Sequence, residues 1–280
     1  MSRSRGSGGG TLLAATGLVA TALAATALHT TVVTPRRLRV PEVSLTLPGW
    51  PAELDGLRVA VLGDLHAGCP WVDLARVRAV VARVVAARPD LVLLLGDHLA
   101  DVVAGSHLEP EPVAEALAGL TAAGPVVGVL GNHDWYAGGG RVRRALEAYG
   151  LPVLEESAVP VLDGRLWIAG VGDLWERSPD VRAALADVPA GAPVVLLTHN
   201  PDVVVDVPAS VPLVLAGHTH GGQVRVFGRG VHKISERSAN RWSHGFYPAD
   251  RLYVTAGIGS STLPLRTVTP EVPVLVLSSP

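Results

Sequence analysis

What most constrains the fold of this chain is a series of short apolar runs, each ended by a polar cluster. Leu57–Leu62 leads into Asp64-Leu65-His66, and Leu91–Leu95 into Gly96-Asp97. Val126–Leu130 leads into Gly131-Asn132-His133-Asp134. The run at 194–198 leads into His199-Asn200, and that at 213–216 into Gly217-His218-Thr219-His220. Apolar runs this short, bounded by Gly and polar residues, predict strands buried on both faces. In open α/β sheets the ligand crevice lies beyond the carboxyl ends of the strands. Each cluster occupies such an end, so one domain can bring all of them to one rim.

The segments between the runs fit this plan. Residues 73–87 carry Leu74, Val77, Val81, Val84 and Val85 at helical spacing, with Arg76, Arg78 and Arg83 left for the other face. Asp73 is placed to cap that helix and Pro89 to end it. Further helices are expected around 111–122 and 141–149. The second half is richer in strands, at 158–162, 166–171, 194–198, 213–216, 223–227, 251–256 and 272–277. An alternating first half predicts a sheet with helices on its faces. A strand-rich second half predicts a second sheet packed on the first.

The N-terminus reads differently. Residues 1–10 are rich in Ser and Gly with Arg3 and Arg5, and Thr11 to Val33 carry no formal charge. Residues 1–40 are expected to be a membrane anchor or a cleaved signal segment with its linker. Residues 41–280 are the expected catalytic domain, placed outside the cytoplasm, anchored or secreted. Without the N-terminal segment roughly 240 residues remain, enough for one well-buried core. A net charge of -2 argues against bulk attraction to polyanions. No basic or aromatic track appears, so no nucleic-acid partner is expected. Cys69 is the only cysteine, which excludes an intramolecular disulfide and any Cys-rich zinc site. It reads as a bystander thiol three residues after His66.

The polar clusters supply ligands for two metal ions. Asp64 and His66 are two apart on a segment leaving a strand, so they can grip one ion together, as can His218 and His220. Asp97 is an isolated carboxylate able to bridge two cations with its two oxygens. Asn132 offers a carbonyl oxygen and His199 an imidazole. Mixed nitrogen and oxygen ligation suits transition metals such as Mn, Fe or Zn better than Ca or Mg. Two such ions, roughly 3.5–4 Å apart, clamp a phosphoryl group and acidify a water into a nucleophile. His133 is expected near the ions as an acid that protonates the leaving oxygen. Asp134 is expected to hold its other ring nitrogen.

In their order and spacing these residues resemble the calcineurin-like metallophosphoesterases. The likeness extends through Thr198-His199-Asn200-Pro201-Asp202, Gly217-His218-Thr219-His220-Gly221-Gly222-Gln223, Gly257-Ile258-Gly259-Ser260 and Pro264-Leu265-Arg266. These later segments are similar to a membrane-associated bacterial phosphodiesterase branch. The resemblance implies a four-layer αββα sandwich with two mixed β-sheets, preceded by the hydrophobic helix. It implies that Asp64, His66 and His220 bind one divalent ion, that Asn132, His199 and His218 bind the other, and that Asp97 bridges. It implies that His133 and Asp134 are the acid pair. The implied activity is hydrolysis of phosphate esters, diesters foremost, by a metal-bound hydroxide.

The alternatives are a phosphomonoesterase, a lipid-linked nucleotide pyrophosphatase, or a non-catalytic metal-binding scaffold. The substrate implied by the resemblance is a small-molecule or lipid phosphate ester. Specificity falls to the loops at 98–112, 135–141 and 229–247, where Trp135, Tyr136, Trp242, Phe246 and Tyr247 are candidates for an apolar wall. His98 departs from the pattern directly after Asp97 and is expected to point away from the site. Asp101 is expected to be a local hydrogen-bonding residue, and Arg266 a solvated one.

Overall fold

The computed structural model describes residues 8–100, 105–226, 229–230, 241–261 and 264–280. Two mixed sheets dominate. The first has the order β1 (Glu42–Thr46), β13 (Val274–Ser278), β2 (Leu57–Leu62), β3 (Leu91–Leu95), β4 (Val126–Val129). Strands β2, β3 and β4 run parallel, and β13 lies antiparallel to β2. The second has the order β11 (Gly245–Tyr247), β12 (Leu252–Val254), β8 (Leu213–Ala216), β7 (Val194–Leu197), β6 (Leu166–Gly170), β5 (Ser157–Val161). Its inner strands are parallel and its two edge strands antiparallel. A two-residue pairing of β9 (Arg225–Val226) with β10 (Arg229–Gly230) stands apart. It is all that forms of the strand expected at 223–227.

The period-two alternation of each strand explains the layering. Val59 and Val61 of β2, with Leu91, Leu93 and Leu95 of β3, face Ile168, Val195, Leu197 and Leu215 of the other sheet. Ala60, Leu62, Val92 and Leu94, from the opposite faces, pack under helices. Those helices are α3 (Leu74–Ala86), α4 (Pro110–Ala118) and α6 (Gly139–Ala148). In α3, Val77, Val80, Val81 and Val84 are buried, and the Asp73 side chain caps the helix by accepting from the Arg76 N–H at 2.7 Å. The outer face of the second sheet, including Leu196, Val214 and Val254, packs on Val181 and Ala184 of α7 (Val181–Ala184) and on Val203 and Val204 of the 3-10 turn Pro201–Asp206. The result is helix, sheet, sheet and a thin helical layer.

The N-terminal helix runs through α1 (Gly8–Leu28), a π-turn at His29–Val33 and α2 (Thr34–Arg36). Its side chains from Thr16 to His29 are exposed, whereas Thr30, Thr34 and Pro35 are buried against the domain. The short α5 (Asn132–Tyr136) begins directly beyond β4 and sets the direction of the third polar cluster.

Candidate metal centre

The carboxyl ends of strands from both sheets converge on one site. Asp64 and His66 follow β2, Asp97 follows β3, Asn132 opens α5 after β4, His199 follows β7, and His218 and His220 follow β8. All seven side chains are buried, none more than 5% exposed. Ligand atoms of Asp64, His66 and His220 lie within 4.8 Å of one another, as do those of Asp64, Asp97 and His199, and those of His66, Asp97 and His133.

Finer distances divide the set in two. His66 Nε2 faces His220 Nε2 at 3.1 Å, and His220 Nε2 is 3.5 Å from Asp64 Oδ1. His218 Nδ1 faces His199 Nε2 at 3.2 Å. Asp97 Oδ2 lies between the groups, 3.4 Å from His66 Nε2 and 3.2 Å from His199 Nε2. Asp97 Oδ1 accepts the His133 backbone N–H at 2.9 Å. His199 Nδ1 lies 2.7 Å from the Leu95 carbonyl, which turns Nε2 towards Asp97.

The backbone is bent to achieve this. Asp64 (φ 49°), His66 (46°), Asp97 (54°), His218 (70°) and His220 (51°) all adopt the left-handed region, which non-glycine residues seldom enter. Strain of this kind collects at functional sites. Glycines supply the room. A Cβ on Gly217 would lie 2.6 Å from Asp64 Oδ2, and one on Gly131 would wedge between Asp97 and His199.

The electrostatics fit cations. Among the described residues, Asp64 Oδ2 and Asn132 Oδ1 are buried without a hydrogen-bond partner. Each facing pair of imidazole nitrogens shares at most one proton, and its release frees both lone pairs for a cation. Burial pushes the Asp64 carboxyl up to about 7, with the Asp97 charge adding to it. Burial pushes the His66 imidazole down to about 3 and His220 well below its usual range, so both stay neutral, as metal ligation requires. Burial acts to lower His199 and to raise Asp97, but their mutual attraction outweighs it. His199 is held well above the usual imidazole range and Asp97 well below the usual carboxylate range.

His133 borders this group. It is half-buried, its ring 4.7 Å from His66 and 5.4 Å from exposed Tyr136. Asp134 does not hold it. One residue further along a helix is rotated by about 100°, so the Asp134 carboxylate points inward instead. It accepts from the Gly131, His98 and Leu99 N–H groups at 3.0, 2.8 and 3.1 Å and lies 2.9 Å from His98 Nδ1. The expected His133–Asp134 pair is thus corrected to a His98–Asp134 pair, and His98 turns inward, buried beside the site.

Arg266 is corrected too. It is fully buried, and its guanidinium donates to the carbonyls of Gly259, Ala256 (2.6 Å) and Val268 (3.2 Å), with His220 O at 3.5 Å. Of the candidate wall, only Tyr136 stands exposed at the site. Trp242 is buried in the outer cluster of the second sheet, on which Tyr247 packs, and Phe246 packs on the cluster between the sheets. Cys69 is buried, and burial pushes its thiol up to about 11, as an inert thiol requires. Asp101 lies outside the described residues.

Two neighbours of the site had a signal that was passed over. Gly172-Asp173 follows β6 just as Gly96-Asp97 follows β3. Asp173 is buried, with Oδ1 accepting from the Trp175 and Glu176 N–H groups at 2.9 and 3.0 Å and Oδ2 unpartnered among the described residues. Burial raises its carboxyl, with His199 pulling the other way. The half-exposed Trp175 ring meets His218 edge-on at 4.4 Å.

Comparison with known proteins identifies the family. Residues 57–222 match the family model of calcineurin-like phosphoesterases. The chain is 28% identical over 259 residues to the uncharacterized metallophosphoesterase YkuE of Bacillus subtilis, covering 90% of this chain and 89% of that one. It is 30% identical over 230 residues to phosphodiesterase YaeI of Escherichia coli, covering 79% and 82%. It is 27% identical over 257 residues to a transmembrane protein with metallophosphoesterase domain of Danio rerio, covering 81% of this chain but only 54% of that longer protein. The family match runs from β2 through His220, the stretch that carries every side chain of the centre, and the chain belongs to the calcineurin-like phosphoesterases.

Proposed function

We propose that this phosphoric ester hydrolase works with two divalent transition metal ions, Mn, Zn or Fe, and prefers phosphodiesters. The observation that carries this is the convergence of the Asp64, His66, Asp97, His199 and His220 ligand atoms at the joined ends of the two sheets. Asp64, His66 and His220 would hold one ion, and Asn132, His199 and His218 the other, with Asp97 Oδ2 between them. When bound, the ions supply Lewis-acid polarisation of the ester and a water acid enough to attack phosphorus.

The protein's own groups do the rest. The glycine-lined cradle fixes the ligands to within the small tolerance that metal geometry allows. His133, beside the ligands but outside the two sets, carries the proton that the leaving oxygen takes. Asp134 and His98 act as positioning residues. They tie the Asp97–Leu99 segment to the start of α5, and so hold Asp97 opposite His133. The printed name of the YaeI relative supports the diester preference.

The segment 1–40 is proposed as a membrane anchor, with the domain 41–280 on the outer side. The apolar helix Thr16–Arg36 and the transmembrane relative support an anchor. The test is metal analysis of the full chain, with hydrolysis of bis(p-nitrophenyl) phosphate and of p-nitrophenyl phosphate under added Mn, Zn, Fe and Mg. Two ions per chain and faster diester cleavage are expected. Faster monoester cleavage sinks the diester preference.

A further inference from the structure

The apolar helix is not a loose tether. Helix α1, Gly8–Leu28, is 21 residues long, about 31 Å at 1.5 Å per residue, which matches the hydrocarbon thickness of a bilayer. Leu18, Val19, Leu23 and Leu28 are all more than half exposed. The threonine hydroxyls along it are satisfied within the helix: Thr21 on Gly17 O, Thr26 on Ala22 O and Thr31 on Ala27 O, at 2.7–2.9 Å. A helix so built is suited to lipid.

Its last turn is seated on Trp71, in the loop that follows His66, and on Arg266, whose guanidinium packs against the backbone beside His220. The Thr30 carbonyl accepts the Arg266 N–H at 2.9 Å, and the buried Arg266 guanidinium holds the carbonyls of the Ala256–Gly259 turn beside His220. The Thr31 carbonyl accepts the Trp71 indole N–H at 2.8 Å. Trp71 stands at the tip of the tight loop that starts at His66, closed by the Cys69 N–H on His66 O at 2.9 Å. A helix that served only as a leash would have no need of these contacts.

The surface at the helix base matches a membrane interface. Trp71 is 41% exposed, with the Arg36 guanidinium 5.0 Å from its ring centroid. Arg37 and Arg39 follow, and Arg76 and Arg83 of α3 reach the Arg37 and Leu38 carbonyls at 2.9 Å. Aromatic rings and arginines at the end of an apolar helix suit the headgroup layer. The rim of the site adds exposed Tyr136 beside His133 and exposed Trp175 on His218. Both rings stand against the charged centre, a combination that suits an amphiphilic ester.

Resting on the phosphoesterase and anchor readings above, we infer that the site lies at the bilayer surface and takes its phosphate ester from a lipid of that membrane. The test uses full-length protein, loaded with Mn, in phosphatidylcholine vesicles. The probe is dioleoylphosphatidyl-p-nitrophenol, compared with ethyl p-nitrophenyl phosphate, the same diester without acyl chains. In both, the bond from phosphorus to the nitrophenyl oxygen breaks and one to the water oxygen forms. The lipid product, a phosphate monoester, stays in the bilayer.

Confinement to one surface raises the effective concentration, so the lipid ester should turn over about tenfold faster at equal bulk concentration. Its rate should follow its mole fraction in the vesicle. Trp71→Glu should lower the ratio of lipid to ethyl ester rate about fivefold by placing a carboxylate in the headgroup layer. Cleavage of the ethyl ester with equal or slower cleavage of the lipid ester overturns the inference and spares the phosphoesterase reading. No cleavage of either by the metal-loaded protein overturns both. A Trp71→Glu ratio equal to that of wild type overturns the interfacial placement.

Discussion

Gly131→Ala isolates the geometry of the metal centre from every other effect. Gly131 has φ -105°, so alanine meets no backbone strain there. The added methyl is the whole perturbation. It would overlap Asp97 Oδ1 and approach both the Asp97 backbone nitrogen and His199 Cε1 to 2.7 Å, where ordinary contact begins at 3.4 Å. Asp97 and His199 lie on strand ends of different sheets, and neither backbone can retreat. Relief therefore needs ligand shifts of about 0.7 Å, several times the ±0.2 Å that metal bonds tolerate. Overpacking costs about 1–3 kcal/mol of stability, which a domain of this size survives. A misplacement approaching 1 Å costs about 100-fold in rate.

The assay is metal content by mass spectrometry, thermal unfolding with and without Mn, and diester hydrolysis. Gly140→Ala in α6 is the control, since its new methyl meets nothing closer than 3.6 Å and helix propensity gains up to about 1 kcal/mol. Gly131→Ala with two bound ions and a rate within about threefold of wild type would refute the reasoning, because ligand placement at this precision would then not matter.

Other predictions follow from the same geometry. His133→Asn should keep both metals and lose about 100-fold in diester turnover, least for esters with good leaving groups; full activity would dismiss the acid assignment. Asp134→Asn should lower both metal affinity and rate by about tenfold through the freed Asp97–Leu99 segment, and His98→Gln should do so more weakly; metal content unchanged in both would refute the positioning role. Metal affinity should rise with pH through about 7 and continue to rise above it. Below that point Asp64 in the metal-free protein keeps its proton, because burial holds it there, and His199, raised by Asp97, Asp64 and Asp173, must also release one. Titration calorimetry in buffers of different ionisation enthalpy reads this proton release, and affinity flat between pH 5 and 8 would contradict it. Cys69 should resist thiol reagents in the native state and react only on unfolding.

The rim was legible because burial and chemistry alternate along the chain. Leu91–Leu95 is wholly apolar since both of its faces are covered, and the polar Asp97 follows at the point where the sheet ends. Helix α3 was legible through its valine spacing, Asp73 and Pro89. Strand β1 was not, because an edge strand alternates exposed and buried residues and offers no run to see. Arg266 was misread because an arginine is expected in solvent. Several carbonyls that no local pattern announces give it enough acceptors to be buried. The partner of Asp134 lies 36 residues away, at a strand end where local spacing carries no information. Asp173 carries the same signal as Asp97, a Gly-Asp pair that closes an apolar run.

The same features that build the centre make it costly without cations. Five ligand candidates sit in left-handed backbone, a conformation that disfavours L-residues by about 1–2 kcal/mol each. Asp64 and Asp97 are buried close enough for their charges to oppose each other, and one of them resolves the conflict by keeping a proton. The facing imidazoles are hydrogen-bonded pairs that must give up the shared proton before both nitrogens can ligate. Positive charge between the buried carboxylates relieves their repulsion, while the surrounding packing holds the strained backbone. Folding of the domain and loading of the centre are therefore coupled: the hydrophobic layers between and outside the sheets must hold the strained rim in place before any ion arrives. The three apolar clusters do this by fixing the strand ends on both sides of the site. Metal binding then stabilises the native state in proportion to ion concentration, and the stabilisation is concentrated in the segments that follow β2, β3 and β8, where the strain resides.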